Sequence, residues 1–287
     1  MEKISRRTLL SLSSSVAGAA AVSALPFEAR ADGAPEKSPS SPPDDLPEVH
    51  RKKRLKVFFA GAHVDDWILC GGTLARYARL GHEVQIISLT PGNSVSMADV
   101  AHLPLEKLAA ERRAQAVRGT KLIGASIRFL NENDLQVRVS PQACQAFNKL
   151  LLPEKPDVVF TLWAIEFHPD HRAAANLAFN AWLQSGMKFA FFFCDNPGGT
   201  EMQPQHFVAN HYVDVKCVER VKRESYLANK FITGGWPASD LWWKFRGMEY
   251  GCQYAEAFMR VHTLARMPER NLYPNWWYWG GLRLNKG

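Results

Sequence analysis

None of the five cysteines (Cys70, Cys144, Cys194, Cys217 and Cys252) stands in C-x-x-C spacing, which excludes a thiolate zinc knuckle and a redox dithiol motif. The odd count leaves at least one thiol unpaired within the chain, and Cys70 reads as a small buried hydrophobe. No G-x-G-x-x-G follows the first apolar strand, so the close backbone approach that a dinucleotide pyrophosphate needs is missing. Internal repeats are absent. The formal charge is +7, and its densest run is His50-Arg51-Lys52-Lys53-Arg54. No nucleic-acid module accompanies that run, which reads as a solvated lead-in to a strand, so nucleic acid is not an expected partner.

Long uninterrupted apolar stretches are also lacking. The one near the N-terminus is broken by serines and follows Ser5-Arg6-Arg7-Thr8-Leu9-Leu10, a twin-arginine pattern that ends in the A-x-A sequence Ala29-Arg30-Ala31. Residues 1–31 are therefore expected to be a signal for export of the folded chain to the periplasm or beyond, with no stable membrane span after cleavage. No cysteine lies near the cleavage site, which argues against a lipid anchor. Residues 32–52, rich in Pro and Ser and without periodicity, read as a disordered tether. Residues 53–287 remain as a single domain.

What that domain does carry is two short polar clusters at the ends of apolar runs. Ala62-His63-Val64-Asp65-Asp66 follows Leu55-Lys56-Val57-Phe58-Phe59-Ala60 and precedes a helical stretch from Gly71 to Ala78. His168-Pro169-Asp170-His171 follows the apolar run 157–163 and precedes a second helical stretch from Arg172 to Ala178. Repeated strand-then-helix patterning predicts an α/β fold with a parallel sheet, in which ligands bind beyond the carboxyl ends of the strands. Both clusters are expected at one rim. Further strands are expected at 83–89, 127–130, 189–194 and 208–215, and further helices at 105–122, 141–151 and 218–230.

An Asp pair after a strand can be no more than a helix cap, and a His beside Pro no more than a turn residue. Two such clusters, each between a strand and a helix, weigh toward chemistry. A catalytic zinc takes three protein ligands and keeps one position for water. His63, Asp66 and His171 supply three, and iron, cobalt or manganese would suit the same donors. Asp65 is then left to take a proton from the acidified water, and His168 to donate toward an oxyanion or a leaving group. Such a set suits hydrolysis of an amide or ester.

On these residues the chain resembles the LmbE-like or PIG-L-like metal-dependent de-N-acetylases, whose signatures are Ala/Pro-His-Pro-Asp-Asp-Glu near the first strand and His-Pro-Asp-His-Arg further on. The second is intact from His168 to Arg172. The likeness extends to Gly71-Gly72, to Thr90-Pro91-Gly92-Asn93, to the helix from Arg112 to Gly124 and to Tyr254-Ala255-Glu256-Ala257-Phe258. It implies a Rossmann-like three-layer α/β/α domain with a mostly parallel sheet and zinc on His63, Asp66 and His171. It further implies Asp65 as general base, His168 as a stabiliser of the tetrahedral intermediate, and removal of acetyl groups from N-acetylglucosamine conjugates or related amides. Val64 stands for the usual Pro, Trp67 for the usual Glu, and Gln115 where the family helix often carries Glu. Trp67 is accordingly expected to offer an aromatic surface to a sugar or to shield the site.

The C-terminal part is dense in aromatics: Trp236, Trp242, Trp243, Tyr273, Trp276, Trp277, Tyr278 and Trp279. Such rings suit a sugar, a core or the interface of a homo-oligomer, and Trp236 is the one expected to touch substrate. The resulting expectation is an exported, zinc-dependent amidohydrolase acting on an N-acetylated amino sugar or glycoconjugate. The competing one is a non-catalytic carbohydrate-binding protein that keeps the metal for structure, with Trp67 in the water position.

Overall fold

A computed structural model describes residues 54–94, 98–99, 101–197, 205–232 and 235–261. The expected signal and tether, most of the basic run, and Tyr273, Trp276, Trp277, Tyr278 and Trp279 lie outside them. Among the described residues no helix is long and apolar enough to cross a membrane.

Among the described residues seven strands make one sheet: β1 (Lys56–Gly61), β2 (Glu83–Ser88), β3 (Ser126–Phe129), β4 (Val158–Thr161), β5 (Ala190–Cys194), β6 (His211–Asp214) and β7 (Ala255–Arg260). Their order is β3-β2-β1-β4-β5-β7-β6. The first five run parallel, and β7 is antiparallel to both of its neighbours. The central strands are covered on both faces, which is why β1 and β4 read as continuous apolar runs rather than alternating ones. From β1 the chain builds outward through β2 and β3, then returns to lay β4 against the other side of β1. The β1–β4 boundary is thus the place where the connections diverge and leave a crevice. Ala60 lies opposite Thr161, so the two strands end level and their following loops share one rim.

Among the described residues six helices flank the sheet: α1 (Gly71–Arg79), α2 (Leu105–Leu122), α3 (Pro141–Leu151), α4 (Pro169–Gln184), α5 (Glu219–Leu227) and α6 (Gly235–Tyr250). Helices α1 and α2 pack on α5, α3 packs on α4, and α6 lies on β7, giving the three-layer α/β architecture. Start signals in the sequence are used as such. Pro141 opens α3 behind Ser140, whose hydroxyl accepts the Ala143 N–H at 3.1 Å.

Two elements stand where periodicity predicted none. Helix α6 has large apolar residues around its whole circumference (Trp236, Leu241, Trp242, Trp243, Phe245 and Met248), so no single stripe marks it as helical. Strand β7 is interrupted by Glu256, which is fully buried. Its carboxylate accepts the Gly72 and Thr73 N–H groups at 2.8 and 2.7 Å, capping α1 from 184 residues away in the chain. The cysteines are free thiols. Cys70 is buried, as expected, with burial pushing its pKa up.

Candidate metal centre and active site

The first cluster leaves β1 and enters a tight 3-10 turn, Asp66–Cys70. Asp66 closes this loop on itself: one carboxylate oxygen accepts the Ala62 and His63 N–H groups, both at 2.7 Å. Its other oxygen lies 3.5 Å from His63 Nδ1 and 3.2 Å from His171 Nε2. The two imidazole nitrogens are 2.9 Å apart. Three donor atoms from the two clusters therefore converge on one point.

Each imidazole is oriented by carboxylates behind it. His63 Nε2 faces Asp134 at 3.0 Å and Asp170 at 3.3 Å, and His171 Nδ1 is hydrogen-bonded to Glu166. Glu166 is fully buried and also accepts from the Asn196 amide. Asp170 is fixed in turn by the N–H groups of Leu135 and Val137, at 2.6 and 3.2 Å. Placing the N–H on the far nitrogen of each ring leaves both near nitrogens as lone pairs. At 2.9 Å those lone pairs repel unless a cation lies between them, either a proton or a metal.

The electrostatics agree. Burial alone would discharge His63, yet the Asp66 charge and the hydrogen bonds to Asp134, Asp170 and Asp66 hold its pKa well above the ordinary value. Burial opposes protonation of His171 too, but Asp66 and Glu166 raise it to about 9. Burial would raise Asp66, and the charges of His171 and His63 instead hold it well below the usual carboxylate range. The donor set therefore fits a divalent ion. Separations of 2.9, 3.2 and 3.5 Å bracket the edge of about 3.3 Å that tetrahedral ligation at zinc bond lengths requires.

Two expectations follow from this arrangement. A metal must displace the protons that the metal-free cluster holds, so apparent affinity should rise with pH up to about 9, where His171 discharges. Competition against a chromophoric chelator at several pH values reads this directly, and a flat profile would contradict it. Glu166→Gln, which leaves the His171 ring less firmly held and less basic, should weaken metal binding about 10–100-fold in the same titration.

His168 is the N-cap of α4, and Pro169 is its first residue. Its Nδ1 accepts the Asp170 N–H at 3.2 Å, so the proton resides on Nε2. The ring packs against His63 and His171, with centroids 4.6 and 4.7 Å away. The three histidines offer nitrogens within 4.8 Å of one another, and ring nitrogens of His63 and His168 lie equally close to carboxylate oxygens of Asp134 and Asp170. Because the cap already uses Nδ1 as an acceptor, His168 faces the centre as an N–H donor rather than as a ligand. Burial first, and then the nearby His63 and His171 charges, lower its pKa to about 4, so it is neutral at physiological pH.

Asp65 makes no capping bond, although it stands at the start of the 3-10 turn. Its carboxylate instead receives Arg112 Nη2 at 3.2 and 3.3 Å, while Arg112 Nη1 donates to the Gly92 carbonyl at 3.2 Å. The structure thus brings His63, Asp66, His168 and His171 together, and leaves Asp65, next in the chain to Asp66, as a carboxylate outside the three-donor cluster.

The aromatic expectations divide. Trp67 has no exposed surface: its indole N–H donates to the Val64 carbonyl at 2.9 Å, and the ring lies in the core against Gly71 and Gly119. It neither touches a ligand nor occupies a water position, which corrects both roles expected of it. Trp236 packs edge-on against Tyr226 at 5.3 Å. Tyr226 has its phenol pKa pushed up by burial, and Asp65 is close enough to add to that shift. Trp236 thus packs among the aromatics of α5 and α6, against Tyr226 and Trp243. At the third departure, Gln115 keeps an acceptor where the family helix often has Glu: its amide oxygen takes the Lys230 N–H at 2.7 Å.

Sequence reasoning missed Arg112, Asp134 and Glu166 as parts of the site. Glu166 carried a weak signal, lying two residues before His168, whereas Asp134 sits in an aperiodic loop and carried none.

Comparison with known proteins places this geometry. Over 123 residues the chain is 32% identical to the 1D-myo-inositol 2-acetamido-2-deoxy-alpha-D-glucopyranoside deacetylase of Kineococcus radiotolerans, an alignment covering 41% of this chain and 34% of that protein. The chain thus spans about a third of that relative's length. Among solved structures, the 4-carboxy-2-hydroxymuconate hydratase GalB of Pseudomonas putida KT2440 superposes with a TM-score of 0.61 at 19% identity, covering 75% of this chain and 98% of the hydratase. The N,N'-diacetylchitobiose deacetylase of Pyrococcus horikoshii superposes with a TM-score of 0.60 at 23% identity, covering 73% of this chain and 85% of that one. At such identities the likeness is one of fold, and a hydratase beside a deacetylase means the fold by itself does not choose the reaction. The family model for PIG-L, GlcNAc-PI de-N-acetylase, matches residues 58–182, the stretch that contains both clusters.

Proposed function

We propose that this protein is a zinc-dependent amidohydrolase that removes an acetyl group from an N-acetylated amino sugar or its conjugate. The observation that carries this reading is the division of labour among adjacent residues: Asp66 belongs to the three-donor cluster, while Asp65 is held outside it by Arg112. Zinc held by His63, Asp66 and His171 would supply a Lewis acid and lower the pKa of water to near neutrality.

The chain's own residues account for the rest. Asp65 takes the proton of the attacking water, and Arg112 Nη2, shared between its two carboxylate oxygens, keeps the carboxylate from swinging into the ligand set. His168 presents Nε2–H where negative charge develops on the amide oxygen, and because it is neutral it donates without adding charge beside His63 and His171. The proton accepted by Asp65 is then returned to the departing amine. The twin-arginine pattern supports export after folding, an order that would allow metal loading before translocation.

The test is acetate release from a panel of N-acetylated amino sugars and oligomers, with zinc-loaded and chelator-stripped protein compared. Release that requires the metal supports the reading. No release from any metal-loaded sample, or turnover untouched by chelation, would sink it.

A further inference from the structure

Trp242 and Arg246 stand one turn apart on α6, and both reach the end of β5. Trp242 Nε1 and Arg246 Nε donate to the same Asp195 oxygen, at 2.7 and 2.6 Å. The guanidinium lies 4.7 Å from the Trp242 ring centroid, and its Nη1 donates to Glu249 at 2.7 Å. The Arg246 and Asp195 side chains are 6% and 4% exposed. Burial of an ion pair contributes little net stability, which directs attention to what this one holds in place. Thr161 lies opposite Phe193, so β4 and β5 end at one level, and the Asp195 N–H still bonds the Ala257 carbonyl of β7 at 3.2 Å. The next residue, Asn196, donates its amide N–H to one oxygen of Glu166 in the loop between β4 and α4, and the other Glu166 oxygen bonds His171 Nδ1. One peptide link and a run of hydrogen bonds thus lead from α6 to the ring that offers Nε2 to the three-donor centre.

We infer that Asp195, held by Trp242 and Arg246, is a positioning residue for the metal centre: it fixes the chain at Asn196, which aims Glu166 and through it the His171 ring. The inference rests on the metal site of the deacetylase reading, and it gives the aromatic helix α6 a part in that site other than contact with a sugar. The terminal torsion of a glutamate is broad and roughly two-fold, so a buried carboxylate takes the rotation its partners select. The Asn196 amide on one oxygen selects the rotation that leaves the other on Nδ1. That bond in turn sets the ring so that the Nε2 lone pair meets the metal. Releasing Asp195 frees Asn196 to move, and the selection weakens.

The test measures zinc affinity by competition against a chromophoric chelator for wild type, Asn196→Ala, Arg246→Met and the double variant, each well below its melting temperature. Each single variant should weaken binding about tenfold, the lower end of the loss for an outer hydrogen-bond partner, because each acts from one link further out. Since both act through Glu166, the double variant should also lose about tenfold, whereas independent effects on packing would multiply to about a hundredfold. Arg246→Lys, which returns the charge and one donor, should recover part of the loss. If Arg246→Met does not fold, Trp242→Phe replaces it in the cycle, removing one donor to Asp195 while keeping an aromatic ring. Unchanged affinity in Asn196→Ala, or losses that multiply, would overturn the inference. The binding measurement needs no substrate, and acetate release is read separately. Losses that do not multiply, in a protein that releases no acetate from any N-acetylated amino sugar, would uphold the positioning role and count against the deacetylase reading. Metal-dependent release with affinity untouched in the variants would do the reverse.

Discussion

Asp65→Asn is expected to lower turnover about 10²–10⁴-fold while the protein retains its metal. Asn preserves the size of the side chain but cannot accept a proton from water. Asp66, next in the chain, cannot replace it, because one of its oxygens is held by two backbone N–H groups and the other faces His63 and His171. Arg112 loses its ionic partner but keeps its bond to the Gly92 carbonyl, so some loss of stability should accompany the kinetic effect. Metal content and turnover measured on one preparation separate the two consequences. Near wild-type turnover with metal bound would remove Asp65 from the role of base, and turnover lost together with the metal would make it a structural neighbour of the ligands.

The parts of this site that were legible in the sequence are those in which chemistry is contiguous. His63, Asp65 and Asp66 fall within four residues after a β-rich run, and His168 and His171 within four residues at the start of a helix. Strand-then-helix order predicts that both lie on one rim, and the level ends of β1 and β4 place them there. What supports them was illegible because it arrives from elsewhere. Arg112 reaches Asp65 across 47 residues and Asp134 reaches His63 across 71, with no periodic pattern linking either pair.

Trp67 was misread for a different reason. Similarity to a motif aligns a position, whereas a 3-10 helix, with about three residues per turn, rotates each successive side chain by about 120°. The residue after Asp66, whose carboxylate faces the three-donor centre, is therefore swung away from it, into the core. The same sequence logic overlooked β7, since a strand containing a glutamate does not read as buried unless its partner is known. That partner is Lys222, 34 residues earlier.

Lys222→Met should destabilise the fold by about 3–5 kcal/mol, roughly 10 °C in melting temperature for a domain of this size. Lys222 and Glu256 are each about 1% exposed and form a direct ion pair. The ammonium also donates to the Ile68 carbonyl at 3.0 Å and sits 3.5 Å from the Trp243 ring centroid. Glu256 in turn caps α1, so the pair ties together the turn that carries Asp66, the helix that follows it, and an edge region of the sheet built much later in the chain. Removing only the lysine leaves a carboxylate buried with two N–H partners and no countercharge, and that uncompensated charge is the larger part of the cost. Glu256→Gln added to Lys222→Met removes it and should recover part of the loss, though a single amide oxygen cannot satisfy Gly72 and Thr73 as two carboxylate oxygens do. Thermal or urea unfolding of the two variants decides the point. A double variant no more stable than Lys222→Met would mean that the lysine acts through Ile68 and Trp243 rather than through the charge of Glu256.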